Sequence, residues 1–372
     1  MEQDATASPG RLSRIVSVIG TRPEAIKMGP VIRALAARPA IDQRVLLTGQ
    51  HRDLADMLDA ADSRQLSLDL REHSVAELRE RLHEAIARDL SANPPQLVIV
   101  QGDTVSAIAG ALAARDCGIP LAHVEAGLRS YEPEPWPEEG HRVAIDAIAD
   151  LLFAPTEAAA ANLAAEGVRG AIHVTGNSGI DALFDACGGD LTAELPRERK
   201  TILVTCHRRE NRGTAFIRIC KALRRLADAF PVEIVFAIHP NRHLKLVAEK
   251  ELRGHPHVTL MGPLSHAEMV RQIRRCWVIL TDSGGLQEEG PALGKPVLVM
   301  RDVTERTEAP ANVELVGTRP VKIIAAVNRL LMNEVHYARM AVPVLPFGDG
   351  QAAPRIAALV EHWLAGEMRI AV

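Results

Sequence analysis

Short apolar runs recur along this chain, each followed by a glycine-rich or polar turn and then by a stretch with apolar positions at helical spacing. The runs at 15–19, 43–47, 97–100 and 121–124 predict buried strands in the first half. Those at 201–204, 233–238, 258–261, 278–280 and 297–300 do the same in the second. Helical stretches such as 25–37 and 75–89 lie between them. Strand–helix alternation predicts an α/β fold with parallel sheets covered on both faces. The alternation pauses at Gly176-Asn177-Ser178-Gly179 and at the polar segment 187–200, then restarts. This predicts two doubly wound, Rossmann-like domains, 13–180 and 181–350, facing a cleft. Ligands of such sheets sit at the carboxyl ends of the strands, so the residues just after each strand carry the candidate chemistry.

The most informative of these loops is Asp282-Ser283-Gly284-Gly285-Leu286-Gln287-Glu288-Glu289-Gly290-Pro291, which reads as strand end, tight turn and short helix. The Ser283-Gly284-Gly285 turn lets the backbone approach an anion, and the acidic residues one turn later suit the hydroxyls of a ribose. Phosphate first and ribose second describes a nucleotide. Taken alone, the segment is equally consistent with a ligand-free strand-to-helix turn.

The first strand leads into Gly20-Thr21-Arg22-Pro23-Glu24-Ala25-Ile26-Lys27, where Thr21 can cap a helix with Pro23 in its first turn. Arg22 and Lys27 then stand as anion partners. Neither a dinucleotide fingerprint nor a Walker loop follows any strand, so no redox cofactor is indicated. Asp103 follows the third run, Glu125 the fourth, and Glu138 opens a helix after Pro137. One such carboxylate reads as a solvated loop or a cap. Three at one sheet edge point to proton transfer. His207, flanked by Arg208 and Arg209, suits a diphosphate or an acid, with a satisfied loop histidine as the competing reading.

Length and composition narrow the class. A chain of 372 residues exceeds one ordinary core. Its 47% hydrophobic and 24% charged residues are those of a soluble globular protein. A net charge of −4 gives no electrostatic reason to expect nucleic acid or an anionic membrane, so any phosphate site is local. No apolar stretch reaches bilayer length, and residues 1–12 read as a disordered lead-in. Five scattered cysteines point to a reducing cytoplasm and against disulfides or structural zinc. The fourteen histidines show no metal-ligand spacing.

Together these segments resemble the bacterial non-hydrolysing UDP-N-acetylglucosamine 2-epimerases. The resemblance rests on Gly-Thr-Arg-Pro-Glu-Ala-Ile-Lys at Gly20, Thr-Gly-Gln-His at Thr48, Gly-Asp-Thr at Gly102 and His-Val-Glu-Ala-Gly-Leu-Arg at His123. It continues with Pro-Glu-Glu at Pro137, His-Arg-Arg-Glu-Asn at His207, the Asp282 segment, Gly-Lys-Pro-Val-Leu-Val-Met-Arg-Asp at Gly294 and Gly-Asp-Gly at Gly348. These motifs are co-linear over about 15–364. The resemblance implies a glycosyltransferase-B-like fold, a homodimer, and a last helix, 351–372, that crosses back to the first domain. It implies reversible conversion of UDP-N-acetylglucosamine to UDP-N-acetylmannosamine without a cofactor or metal. Matching positions for uridine diphosphate are Arg22, Ser283, Gly284, Gly285, Glu289 and Arg306, with Lys27 nearby. Matching catalytic positions are Asp103, Glu125, Glu138 and His207.

The chain also departs from the family pattern. His141 stands where an asparagine is usual, and Arg71-Glu72-His73-Ser74-Val75 lacks the usual Gln-Ser/Thr-Leu. That loop helps form a regulatory substrate site in some members, so the resemblance does not carry allosteric activation to this chain. Leu345-Pro346-Phe347 replaces Asn-Pro-Tyr, and positions around Leu264 and Met269 differ as well. None removes a catalytic candidate. Readings left open are a 2-epimerase of a modified sugar such as UDP-2,3-diacetamido-glucuronate, a hydrolysing 2-epimerase, a glycosyltransferase of the same fold and a nucleotide-sugar sensor.

Overall fold

The computed structural model describes residues 12–51, 54–58, 62–66, 74–132, 137–189, 200–306 and 310–366. The lead-in up to residue 11, positions 71–73 of the divergent loop and positions 190–199 of the polar segment lie outside the described residues. The chain divides into two compact units, Met1–Ala182 with Gly348–Val372, and Leu183–Phe347.

The first unit runs β1 (Ser13–Ile19), α1 (Arg22–Ala36), β2 (Ile41–Leu47), α2 (Ala55–Leu58), β3 (Ser63–Gln65) and α3 (Val75–Ala92). It continues with β4 (Leu97–Gln101), α4 (Val105–Asp116), β5 (Leu121–Val124), α5 (Glu138–Asp146), β6 (Leu151–Ala154), α6 (Glu157–Ala165) and β7 (Ala171–Val174). The division between units falls within α7 (Ser178–Cys187). The second unit holds β8 (Lys200–Cys206), α8 (Thr214–Ala229), β9 (Val232–Ile238), α9 (Arg242–Leu252), β10 (Val258–Met261) and α10 (His266–Arg275). Then come β11 (Val278–Thr281), α11 (Leu286–Ala292), β12 (Val297–Val299), β13 (Val313–Leu315), α12 (Pro320–Met332) and α13 (Glu334–Met340). The last helix, α14 (Ala352–Leu364), belongs to the first unit.

Each unit is built on one wholly parallel sheet, ordered β3-β2-β1-β4-β5-β6-β7 in the first and β10-β9-β8-β11-β12-β13 in the second. Strand order reverses between β1 and β4, and again between β8 and β11. Those reversals open the sheet edge at the carboxyl ends of four strands, where ligands of such folds bind. The loops there are the ones at Gly20, Gly102, His207 and Asp282.

Side-chain alternation along the first sheet feeds two cores. Val16, Val18, Val98 and Val100 point into one with α3, α4 and α6. Ile15, Ile19, Leu97 and Ile99 point into the other with α1 and α14. The C-terminal helix thus returns to the first unit, laying Ala353, Ile356, Ala357 and Val360 into that core. Its start is pinned by Asp181, whose carboxylate accepts the N–H groups of Ala352 and Ala353 at 3.2 and 2.8 Å. All nine strands indicated by the sequence pattern are present. Among the described residues, the four that the pattern did not indicate are β3, β6, β7 and β13.

Ile356 is fully buried, so Ile356→Ala should cost about 2–5 kcal/mol of unfolding free energy. Urea or thermal unfolding followed by circular dichroism reads this. An unchanged midpoint would show that α14 adds nothing to the core.

Candidate active site

In the first unit the β1 loop is built around a buried carboxylate. Pro23 sits in the first turn of α1, where its missing N–H costs nothing, and Glu24 turns back to accept the N–H groups of Gly20 at 2.9 Å and Thr21 at 2.6 Å. Thr104, at the start of α4, donates to its other oxygen at 2.6 Å. Burial pushes the Glu24 carboxyl up, only partly offset by these bonds. Gly20 leaves no room for a side chain, since a Cβ there would lie 1.8 Å from the Ser106 hydroxyl. Arg22 donates its backbone N–H to His51 Nδ1 at 3.1 Å, tying this loop to the Thr48-Gly49-Gln50-His51 turn after β2.

Glu125, the residue after β5, has φ 69°, a left-handed conformation unusual for a non-glycine residue. Its Oε2 accepts from Gln101 at 3.1 Å and Asn177 at 3.2 Å, and pairs with the Lys27 ammonium. Asp103, after β4, pairs with the buried Arg142. His141 Nδ1 donates to the Asp103 carbonyl at 2.8 Å. Both His141 and Arg142 lie on α5, whose first residue is Glu138, and Glu138 Oε2 is buried without a hydrogen-bond partner. Burial lowers His141 below the ordinary histidine value despite Asp103 and Glu138 nearby.

Under these loops, His123 Nδ1 meets Asp146 at 2.6 Å and its Nε2 donates to the Gly102 carbonyl at 2.8 Å. Burial would raise the Asp146 carboxyl, but His123 and Arg129 outweigh it and hold it below the usual carboxylate range.

The second unit arranges its own loops around Asp282, which is fully buried at the end of β11. Asp282 accepts the N–H groups of His207 and Arg208, both at 2.9 Å, and the Asn211 amide at 2.9 Å. This fixes His207, whose side chain stays 39% exposed and whose ring stacks on His239 at 5.9 Å. Desolvation lowers His207 below its ordinary value against the pull of Asp282. The Arg306 guanidinium lies over Gly284, 2.8 Å from where a Cβ would stand, and is held by Glu288 and Glu305. Glu289 meets His266 at 3.0 Å.

The structure therefore gathers Arg22, Lys27, Asp103, Glu125 and Glu138 in one unit, and His207, Ser283, Gly284, Gly285, Glu289 and Arg306 in the other. The sequence pattern does not single out Asn177, which stands in the boundary motif, nor Gln101, Arg142 and Asp146. Gln101 ends a strand and Arg142 follows Glu138 by one helical turn, so both carried a readable position. Asp146 carried none.

The model of the family described as UDP-N-acetylglucosamine 2-epimerase matches residues 33–361. The chain belongs to this family. A UDP-N-acetylglucosamine 2-epimerase of Yersinia pestis is 42% identical over 364 residues, 92% of this chain and 97% of that one. Among solved structures, the UDP-GlcNAc 2-epimerase from Neisseria meningitidis bound to UDP-GlcNAc superposes with a TM-score of 0.89 at 34% identity, covering 94% of this chain and 99% of that one. The S. aureus MnaA-UDP co-structure gives 0.88 at 35% identity, covering 95% and 97%. The two-unit α/β architecture is thus the glycosyltransferase-B-like one of the epimerase family. No described helix is long and apolar enough to cross a membrane.

His51, His141 and His207 all sit below the ordinary histidine value in the folded chain. The unfolded chain therefore takes up these protons first as pH falls. Their contribution to stability is complete above about pH 6.5 and is lost as the medium turns more acid than that. His141→Asn keeps a side-chain donor near the Asp103 carbonyl but cannot titrate. Thermal melts from about pH 7 to about pH 5 should fall less steeply for this variant than for the parent. Equal slopes would remove His141 from the acid response.

Proposed function

We propose that this chain interconverts UDP-N-acetylglucosamine and UDP-N-acetylmannosamine by elimination and re-addition of UDP, without hydrolysis. The observation that carries this reading is the set of three carboxylates at the β4–β5–α5 edge in a member of this epimerase family. The proton on sugar C2 is not next to a carbonyl, so removing it directly would leave an unstabilised carbanion. Departure of UDP from C1 builds oxocarbenium character and makes that proton removable. The C–H electron pair becomes the C1=C2 bond of 2-acetamidoglucal, and the C1–O pair leaves with UDP. Protonation of C2 from the opposite face and return of a phosphate oxygen to C1 complete the change.

Asp103, Glu125 and Glu138 form the proton-transfer set of this scheme. Glu125 is held in place by the Lys27 ammonium and the amides of Gln101 and Asn177, all on its Oε2. The partnerless Oε2 of Glu138 suits a polar hydrogen of the sugar. His207, lowered by desolvation, suits proton transfer better than service as a fixed cation. Arg22, with Lys27 further along the same helix, suits the diphosphate. So do the Ser283-Gly284-Gly285 backbone and Arg306, with Glu289 for the ribose. Five free thiols accord with action in the cytoplasm, and the family resemblance accords with a homodimer.

Proton NMR of the purified protein with UDP-N-acetylglucosamine in D2O tests the scheme. The product should be UDP-N-acetylmannosamine carrying deuterium at C2. Retention of the original proton would rule out elimination, and free N-acetylmannosamine would make the enzyme a hydrolysing one. No turnover would shift the substrate to a modified UDP sugar.

Asp103→Asn, Glu125→Gln and Glu138→Gln should each reduce kcat by roughly 10²–10⁴-fold while sparing UDP affinity. Steady-state kinetics and UDP calorimetry measure the two quantities. Near-normal turnover in all three would return these carboxylates to the role of ordinary loop groups.

A further inference from the structure

Behind the three carboxylates lies a polar cluster that the elimination scheme does not use. His123 and Asp146 are 0% exposed and Arg129 1%. Removing such groups from water costs several kcal/mol per charge, and apolar side chains would fill the same space without that cost. Their bonds are directed at particular places. His123, in β5, donates from Nε2 to the carbonyl of Gly102, the residue before Asp103. Its Nδ1 meets Asp146 Oδ1. Asp146 Oδ2 accepts the N–H of Gly127 at 3.1 Å, close after Glu125, and meets Arg129 Nη2 at 2.7 Å. Asp146 itself ends α5, the helix that Glu138 begins. On the outer side Glu166 holds Arg129 by two bonds of 2.7 Å. One buried carboxylate therefore ties together the backbones of all three segments that bear the reacting carboxylates.

Resting on the epimerase reading above, we infer that Asp146, acting through His123, is a positioning residue for proton transfer at C2. It sets the mutual placement of Asp103, Glu125 and Glu138 without touching the substrate. Carboxylates that share one proton-transfer cycle must be placed to a fraction of an ångström, and a shift of about 1 Å costs about 10²-fold in rate. Three separate loops do not reach that tolerance independently. A common anchor removes their relative freedom.

The test compares full-length Asp146→Asn and His123→Gln with Ile356→Ala, a variant of the same unit weakened away from the cluster. Asp146→Asn should lower kcat for UDP-N-acetylglucosamine about 10²-fold, with KM within about twofold of the parent. His123→Gln, which keeps an amide donor for Gly102, should retain more of the rate. Hydrogen–deuterium exchange of segments 102–104 and 126–129 should quicken in Asp146→Asn and not in Ile356→Ala. A kcat for Asp146→Asn equal to that of Ile356→Ala, or a KM that rises as kcat falls, would overturn the inference. If Asp146→Asn does not fold, His123→Gln carries the same kinetic comparison. If the parent protein itself does not turn over this substrate, the functional reading fails separately. The exchange measurement then decides, and unchanged protection of both segments overturns the positioning role.

Discussion

A carboxylate sealed from water is tolerable only when donors surround it, and such a group lies under the candidate loops of each unit. Asp146 does this in the first and Asp282 in the second, both fully buried. The demand for donors makes these groups architectural. Backbone N–H groups that would otherwise face solvent turn inward, and the loops carrying them adopt one conformation. Asp282 draws in His207 and Arg208, while Asp146 draws in Gly127 and, through His123, Gly102. The parallel sheets supply the rest, because their strand reversals bring these loops to the same edges. Breaking either buried group leaves an unsatisfied cluster rather than a missing contact.

The same constraint explains why unusual backbone is stored where chemistry is expected. Glu125 adopts a left-handed conformation that costs of order 1–3 kcal/mol elsewhere. It is held by two backbone bonds to the Phe153 carbonyl, from its own N–H and that of Ala126, and by three side-chain donors. Gly20 and Gly284 are the complementary cases, where the absence of a side chain admits Ser106 and Arg306. In each the local cost is met by bonds from distant segments.

That dependence on distant segments sets how far the sequence could be read. The central strands announced themselves because each is buried on both faces and so is continuously apolar. The missed strands lie at or near sheet edges: β3 is Ser-Arg-Gln with every residue exposed, and β13 is Val-Glu-Leu. β7 is mostly half-buried, and β6, though apolar, is only four residues long. Candidate carboxylates were legible from their places after strands. Their partners were not, since Asn177 and Arg142 reach Glu125 and Asp103 across 52 and 39 positions that no local pattern links. Asp146 looked like any acidic residue at a helix end, and only its burial gives it meaning.

The return of α14 to the first unit has a consequence for synthesis on the ribosome. The face of α1 that receives Ile356 and Val360 is made among the earliest residues, whereas its cover is made among the last. Until then the N-terminal sheet carries an open apolar strip, while the whole second unit emerges and folds in the interval. At translation rates of about 5–20 residues per second that interval lasts roughly ten seconds or more. Completion of the first core thus waits until α14 has been made and can pack against α1.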